Sequence, residues 1–341
     1  YYNMTVSING TTGITTPTYG GSVPSEYITP VTGFKNRIIN GDMKIDQRNA
    51  GASFTPTNSS YGLDRWRYQV SQTSKLTSQQ SSVAPAGFID SLLVTSSSSY
   101  SVLAADYFML RQRVEGYNVA DLNWGTASAQ AVTLSFWARS SLTGTFGGSV
   151  TNSAANRFYP FSYTISSADT WEYKTITIAG DTTGTWLTNN GIGIEINFSL
   201  GMGSTYSGTA GAWSSTEAYS VTGATSVVGT SGATFYITGV QLEAGNTATS
   251  FDYRPYGTEL ALCQRYYQTG TQRFRIDPFP GAAGGSAYFP VSMRATPTIT
   301  GTVILGTLVS SSALEQNGAF FQFSSGTSGN ASNSFSASSE L

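Results

Sequence analysis

The chain has 341 residues and a formal charge of −2, and only 11% of its residues are charged, against about 25% in an ordinary soluble protein. Aromatics at 13% and apolar residues at 39% exclude a disordered chain, and the lack of any basic run excludes phosphate-driven nucleic-acid binding. There is no histidine, which removes Ser-His-Asp, Cys-His and H-E-x-x-H chemistry, and the single cysteine, Cys263, allows no intrachain disulfide.

Ser, Thr, Asn and Gly replace the missing charges, so the expected surface is polar but nearly uncharged. That suits an extracellular or virion β-protein whose strands alternate apolar residues with Thr, Ser or Asn. No run of about 18 apolar residues exists, so no membrane span is expected. No secretory signal opens the chain, and Met4 is a candidate start, a longer chain being the alternative. Synthesis in a reducing cytoplasm and release by lysis fit both features.

Residues 1–33 are rich in Thr, Gly, Ser and Pro and show neither helical period nor sustained alternation. They read as an extended arm with one short strand near Val6 to Ile8, ordered only by packing on a neighbour. Residues 34–256 carry short strands separated by turn clusters such as Thr143-Gly144, Asp181 to Gly184 and Asn189 to Gly191. From Asp64 to Val70, Trp66, Tyr68 and Val70 share a core face, while Arg65, Arg67 and Gln69 share the other. Phe108, Leu110 and Val114 oppose Tyr107, Arg111 and Arg113. Val132, Leu134, Phe136 and Ala138 oppose Thr133, Ser135, Trp137 and Arg139. Ile192, Ile194, Ile196 and Phe198 oppose Glu195 and Asn197. Regular short strands with turn chemistry between them predict a β-sandwich. The stretch from Gly201 to Ser231 reads as one or two long loops. Trp124, Trp186 and Trp213 fall in turns or loops and are candidates for exposed aromatics.

Residues 257–268 are the one good helix candidate, with Thr258 as cap and Leu260, Cys263 and Tyr267 on one stripe. The helix either closes the bottom of the sandwich or meets its copies on an oligomer axis. A connector over 257–269 then leads to a smaller β unit over 270–341. Its strands are expected near Phe274, Ala287 to Val291, Thr298 to Val303, Phe320 to Phe323 and Phe335 to Ala337. A unit of that size has a thin core, which points to burial against other subunits. The strand carboxylates Asp64, Asp106, Glu115, Glu195 and Glu243 mark no pair for glycoside cleavage, and salt bridges explain them more simply.

Two segments carry a resemblance. Asn36-Arg37-Ile38-Ile39-Asn40-Gly41-Asp42 and Gly239-Val240-Gln241-Leu242-Glu243-Ala244-Gly245 resemble the first and last strands of jelly-roll carbohydrate-binding modules. With Glu259 to Tyr267 (ELALCQRYY) appended, the set resembles a family of tail-fibre and other virion structural proteins of tailed bacteriophages. The segments Arg111 to Gly116 and Thr133 to Arg139 fit that family too, and the resemblance covers residues 34–341. It implies an all-β chain, a jelly-roll sandwich between an anchoring arm and a small C-terminal domain. It also implies a non-enzymatic tail fibre that engages host-surface polysaccharide. A head fibre or capsid decoration protein is the first alternative, a depolymerase tailspike the second.

Sugars present apolar C–H faces rimmed by hydroxyls, so a binding site combines flat aromatics with polar side chains. On that resemblance Tyr107, Arg111, Arg113, Trp137, Arg139, Glu195 and Asn197 are expected to line one exposed sheet face as the glycan site. Jelly-roll modules often hold calcium between first and last strands, and Asp42, Asp46 and Glu243 stand there. Gly239-Val240 occupies the place of the usual acidic residues, so neither metal nor cofactor is expected. The partners expected are other virion proteins, through the arm, and two further copies of the chain in a homotrimer.

Overall fold

The computed structural model describes residues 7–9, 13–15, 34–276, 283–305, 307–323 and 329–341. The fold is all-β, with a jelly-roll sandwich, a single α-helix among the described residues and a smaller C-terminal pair of sheets. In the arm, β1 (Ser7–Asn9) pairs antiparallel with β2 (Gly13–Thr15), which is one strand more than the composition suggests.

The sandwich strands are β3 (Trp66–Val70), β4 (Leu76–Ser81), β5 (Ser91–Ser96), β6 (Tyr107–Glu115), β7 (Val132–Ser140), β8 (Gly144–Thr151), β9 (Phe158–Ile165), β10 (Glu172–Ile178), β11 (Ile192–Met202) and β14 (Thr234–Ala244). Two two-residue strands, β12 (Ser207–Gly208) and β13 (Ser220–Val221), pair parallel in the loop that precedes β14. One five-stranded sheet has the order β10-β7-β14-β5-β4, and the other has β3-β6-β11-β8-β9. The alternation read from the sequence sets which residues meet between them. Trp66, Tyr68, Phe108, Leu110, Leu134, Phe136, Ile194, Ile196 and Phe198 are all buried in one core. At Gly148 a Cβ would stand 2.3 Å from the Asn197 carbonyl oxygen, so only glycine lets β8 close on β11 there.

The opening motif bolts the sandwich shut. Arg37 N–H donates to Leu242 O at 2.9 Å and Val240 N–H to Gly41 O at 2.9 Å, so the segment runs along β14. The Asn36 amide ties the opening segment to β14, accepting from Leu242 N–H at 3.1 Å and donating to Val240 O at 3.0 Å. Asn40 does the same locally, accepting from Ile45 N–H at 3.0 Å and donating to Asp64 O at 3.0 Å. Gly41 is required by contact, since a Cβ would lie 2.2 Å from Val240 O. The two Asn residues thus satisfy backbone groups that no strand partner reaches.

The helix α1 spans Tyr256–Gln264. It starts earlier than Thr258, with Pro255 at the cap position and no side-chain cap, so the predicted Thr258 cap is corrected. Cys263 and Tyr266 pack with Ile39 and Ile45, with Leu260, Leu262 and Leu341 around them. The helix therefore closes the bottom of the sandwich, and its apolar stripe is covered within the chain. Tyr267 leaves the helix and begins the next strand.

That strand is β15 (Tyr267–Ile276), followed by β16 (Ala283–Tyr288), β17 (Thr298–Leu305), β18 (Leu308–Leu314), β19 (Gly318–Phe323) and β20 (Gly329–Ser338). They form two three-stranded sheets, β15-β20-β17 and β16-β19-β18, around Phe321, Phe323 and Phe335. β18 is not expected from the sequence, because its Ser310-Ser311-Ser312 run carries no apolar alternation. The unit is fixed to the sandwich by ion pairs. Arg265 holds Glu115 at 2.7 Å, Tyr266 Oη donates to the same carboxylate at 2.7 Å, and Glu340 takes Arg48 at 2.9 Å and buried Arg65.

Candidate functional site

Strand alternation sends Tyr107, Met109, Arg111 and Arg113 of β6, and Glu195, Asn197 and Ser199 of β11, to the outer face of the β3-β6-β11-β8-β9 sheet. Arg67 and Gln69 of β3 join them, since Arg67 stands opposite Arg111 and Gln69 opposite Met109. Arg65, expected on this face, turns instead with φ +71° and is buried beneath Tyr266 at 3.6 Å.

The middle of this face is a buried polar lattice. Arg111 Nε donates to Asn197 Oδ1 at 2.5 Å, and its Nη1 stands 3.1 Å from Glu195 Oε2. Arg113 Nε donates to Glu195 Oε1 at 2.6 Å, and Thr151 Oγ1 to Oε2 at 3.2 Å. Asn197 Nδ2 donates to Ser149 Oγ at 3.1 Å, and Arg113 Nη1 to Leu341 O at 2.6 Å. Glu195 is only 4% exposed and Arg111 5%, so these charges are matched away from water.

Beside this lattice the face opens into a groove of about 260 Å³, lined by Gln69, Tyr107, Met109, Arg111, Tyr206, Glu217 and Tyr219. Tyr206 comes from a 3-10 turn, Ser204–Tyr206, and Tyr219 precedes β13. A backbone bond from Tyr219 N–H to Tyr206 O, 2.8 Å, ties the two together. Tyr107 and Tyr206 meet edge to face at 5.7 Å, and Tyr206 and Tyr219 lie 6.2 Å apart. The Arg111 guanidinium stands 5.3 Å from the Tyr219 ring centroid. Burial pushes the Tyr219 hydroxyl up to about 12, opposed by Arg111 and assisted by Glu217. It therefore remains a hydrogen-bond donor at every ordinary pH. The groove offers aromatic walls together with a guanidinium, a carboxylate, an amide and phenol groups. That combination suits a ligand with apolar faces and a hydroxyl rim.

The seven residues expected on one face are divided between two. Tyr107, Arg111, Arg113, Glu195 and Asn197 share this face. Trp137 and Arg139 lie on the outer face of the other sheet, across the core, because β7 belongs to that sheet. There Trp137 packs on Tyr173 at 5.4 Å, and Arg139 pairs with Asp169 at 3.2 Å and covers Tyr236 at 5.2 Å. Alternation reports inside from outside, and it says nothing of which sheet a strand joins. Of the groove residues, Gln69, Met109, Tyr206, Glu217 and Tyr219 are not among those expected. Met109 is readable from its alternation with Phe108 and Leu110, whereas Tyr206, Glu217 and Tyr219 sit in a loop without periodicity.

The loop tryptophans are packed rather than displayed. Trp124, Trp186 and Trp213 form an edge-to-face trio with centroids 4.6 to 5.3 Å apart, and Trp124 and Trp186 are buried. Their indole N–H groups donate to Gln130 O, Thr183 O and Ala179 O, so each loop is pinned from within.

Each of the strand carboxylates has a structural partner. Asp64 holds Gln47 and Arg48, and Asp106 accepts from Tyr100 Oη at 2.7 Å. Glu115 holds Arg265, Glu195 holds Arg111 and Arg113, and Glu243 accepts from Thr249 Oγ1 at 2.6 Å. Of the carboxylates considered for calcium, Asp46 caps a turn through Asn49 N–H and Gly51 N–H, and Asp42 pairs with Lys44. The Arg254 guanidinium meets the Asn36 and Ile38 carbonyl oxygens of the opening segment. Among the described residues no cluster of three or more metal-ligating side chains occurs.

No protein-family model matches the chain, and no curated protein does. Among solved structures it is similar to the enzymatically active domain of bacteriophage CBA120 tailspike protein 4, at 15% identity and TM-score 0.35. That match covers 62% of this chain and 22% of the tailspike chain, so the chain spans under a quarter of that protein's length. It is also similar to TmCBM61 in complex with beta-1,4-galactotriose, at 12% identity and TM-score 0.32, over 62% of this chain and 99% of that one. A family 11 carbohydrate-binding module from Clostridium thermocellum matches at 14% identity and TM-score 0.31, over 57% of this chain and 98% of the module.

Proposed function

We propose that this chain is a non-catalytic adhesion protein that holds glycan in the tyrosine groove. The observation that carries this reading is the set Tyr107, Tyr206 and Tyr219 around Arg111, with Gln69 and Glu217 within the same 260 Å³ opening. Tyr107 and Arg111 would touch sugar, while Arg113, Glu195 and Asn197 hold Arg111 in place. Trp137 and Arg139 take no part in this site. The sequence resemblance supports a place on a tailed-phage virion, as a tail fibre anchored through residues 1–33 and facing host polysaccharide. Many copies on one particle would turn weak single sites into avid attachment.

A homotrimer remains part of this reading. Its support is the fibre resemblance and the exposed Tyr288, Val303 and Ile304 on the C-terminal sheets, at 80%, 42% and 59%. The helix and the C-terminal core do not argue for it, since both find partners within the chain. Sedimentation equilibrium at micromolar protein would refute the trimer by returning a folded monomer.

The test of the groove is calorimetric titration with host-surface polysaccharide and soluble oligosaccharides. Tyr206→Ala should weaken binding about fivefold or more, the loss of one stacking ring being worth about 1 kcal/mol. Trp137→Ala should bind as wild type. Normal binding by Tyr206→Ala would overturn the groove assignment, and reducing ends released from the polysaccharide would overturn the non-catalytic reading.

A further inference from the structure

A second cavity, of about 340 Å³, opens where the opening segment meets the loop before β5 and the chain after β14. It is lined by Asp42, Lys44, Gly87, Phe88, Ile89, Asp90, Tyr253 and Tyr256. Its walls are apolar and its charges mainly acidic. Phe88, Phe251 and Tyr253 pack as a ring trio with centroids 4.9 to 5.5 Å apart. Tyr253 Oη donates to Gly87 O at 3.0 Å, and Gly87 adopts φ +91°, which holds the loop under the ring. The walls are therefore set before any ligand arrives. Ile89 is 82% exposed, Tyr256 59% and Tyr253 55%, an apolar rim unusual on so polar a surface.

The charges are unevenly matched. Asp42 is 8% exposed, its Oδ2 takes Lys44 Nζ at 2.5 Å, and its Oδ1 has no hydrogen-bond partner among the described residues. Lys44 is already engaged, since its ammonium also donates to Arg254 O at 3.2 Å. Asp90 has no cation within ion-pairing distance among the described residues. The lining thus carries two carboxylates against one ammonium, beneath aromatic rings. Burial and the neighbouring Asp42 both raise the Asp90 carboxyl, with Lys44 opposing. An added positive charge would relieve that repulsion.

We propose that this cavity is a second ligand site, distinct from the groove, for a small organic cation sheathed in methyl groups, such as a trimethylammonium group. An aromatic face attracts such a cation through its quadrupole, and methyl groups suit walls of Phe and Tyr better than a hydrated ammonium does. Asp90 supplies the net charge. A bare metal ion fits poorly, because the lining offers two carboxylates where calcium takes six or more oxygens.

The test is titration of the full chain with choline in physiological salt, followed by NMR and calorimetry. The control is 3,3-dimethyl-1-butanol, which has the same shape with carbon in place of the charged nitrogen. Choline should bind at least about tenfold more tightly than the alcohol. Asp90→Asn and Tyr253→Leu should each remove most of that preference, and Tyr206→Ala should leave it intact. Equal binding of both compounds, no choline binding, or an unchanged preference in Asp90→Asn would each overturn the proposal. Asp90 is partly exposed, so its isosteric variant leaves the fold in place. A wild-type protein that binds choline but no glycan would refute the groove and spare this site.

Discussion

Glu195 is the residue whose removal most severely tests the outer-face lattice. Its carboxylate accepts from Arg113 Nε at 2.6 Å and Thr151 Oγ1 at 3.2 Å and pairs with Arg111 Nη1 at 3.1 Å. Replacing it with Ala strands Arg111, 5% exposed, with Asn197 Oδ1 as its main remaining acceptor. Removing one partner of a buried ion pair costs about 3 to 5 kcal/mol, chiefly the penalty of the charge left behind. For a unit the size of this sandwich, that corresponds to a melting point lower by roughly 10 °C. Glu195→Gln should cost less, because it keeps acceptor geometry while losing the charge. The stranded Arg111 also supports the Tyr219 ring, so glycan affinity should fall together with stability. Guanidinium denaturation of Glu195→Ala, Arg113→Ala and the double variant gives the measurement. The double variant should be clearly less destabilised than the sum of the singles. Additive effects, or a Glu195→Ala cost under about 1 kcal/mol, would show that the lattice is solvated and not a buried ion-pair network.

Two further changes probe groups that burial penalises. Burial raises the Asp64 carboxyl from 3.8 to about 6, against the pull of Arg48 and Gln47. Well below 3.8 it is protonated in both states. As pH rises through 6 the folded state must ionise it in place, so it withdraws stability on the order of 3 kcal/mol over that window. Asp64→Asn should therefore gain on wild type between pH 4 and 7, and parallel stability curves would refute this. The Tyr163 hydroxyl lies buried in the core without a hydrogen-bond partner among the described residues. Tyr163→Phe should raise stability by about 1 kcal/mol, and a destabilised variant would reveal a partner for that hydroxyl.

The β-class and the in-out alternation of the long strands were legible in the sequence. Each depends on short-range chemistry. A period of two places Phe108, Leu110, Ile194 and Ile196 toward the core whatever their neighbours are. The seating of the opening segment on β14 by the Asn36 amide and Gly41 is a finding of the structure, since the sequence offered those two segments only as a resemblance to first and last strands. The assignment of strands to sheets was not legible, because alternation is the same in both sheets of a sandwich. For that reason alternation alone groups Trp137 and Arg139 with Arg111 and Glu195, although β14 lies beside β7 and β11 beside β6. The groove was half visible. Its floor comes from alternating strands, while Tyr206 and Tyr219 come from a Gly- and Ser-rich loop that returns over the sheet. The position of that loop is fixed by long-range contacts such as Gly203 N–H to Asp106 O at 2.9 Å. The second cavity was not readable at all, since it joins residues 42–44, 87–90 and 253–256. Only closure of the sandwich, with β14 brought back against the opening segment, puts those three stretches side by side.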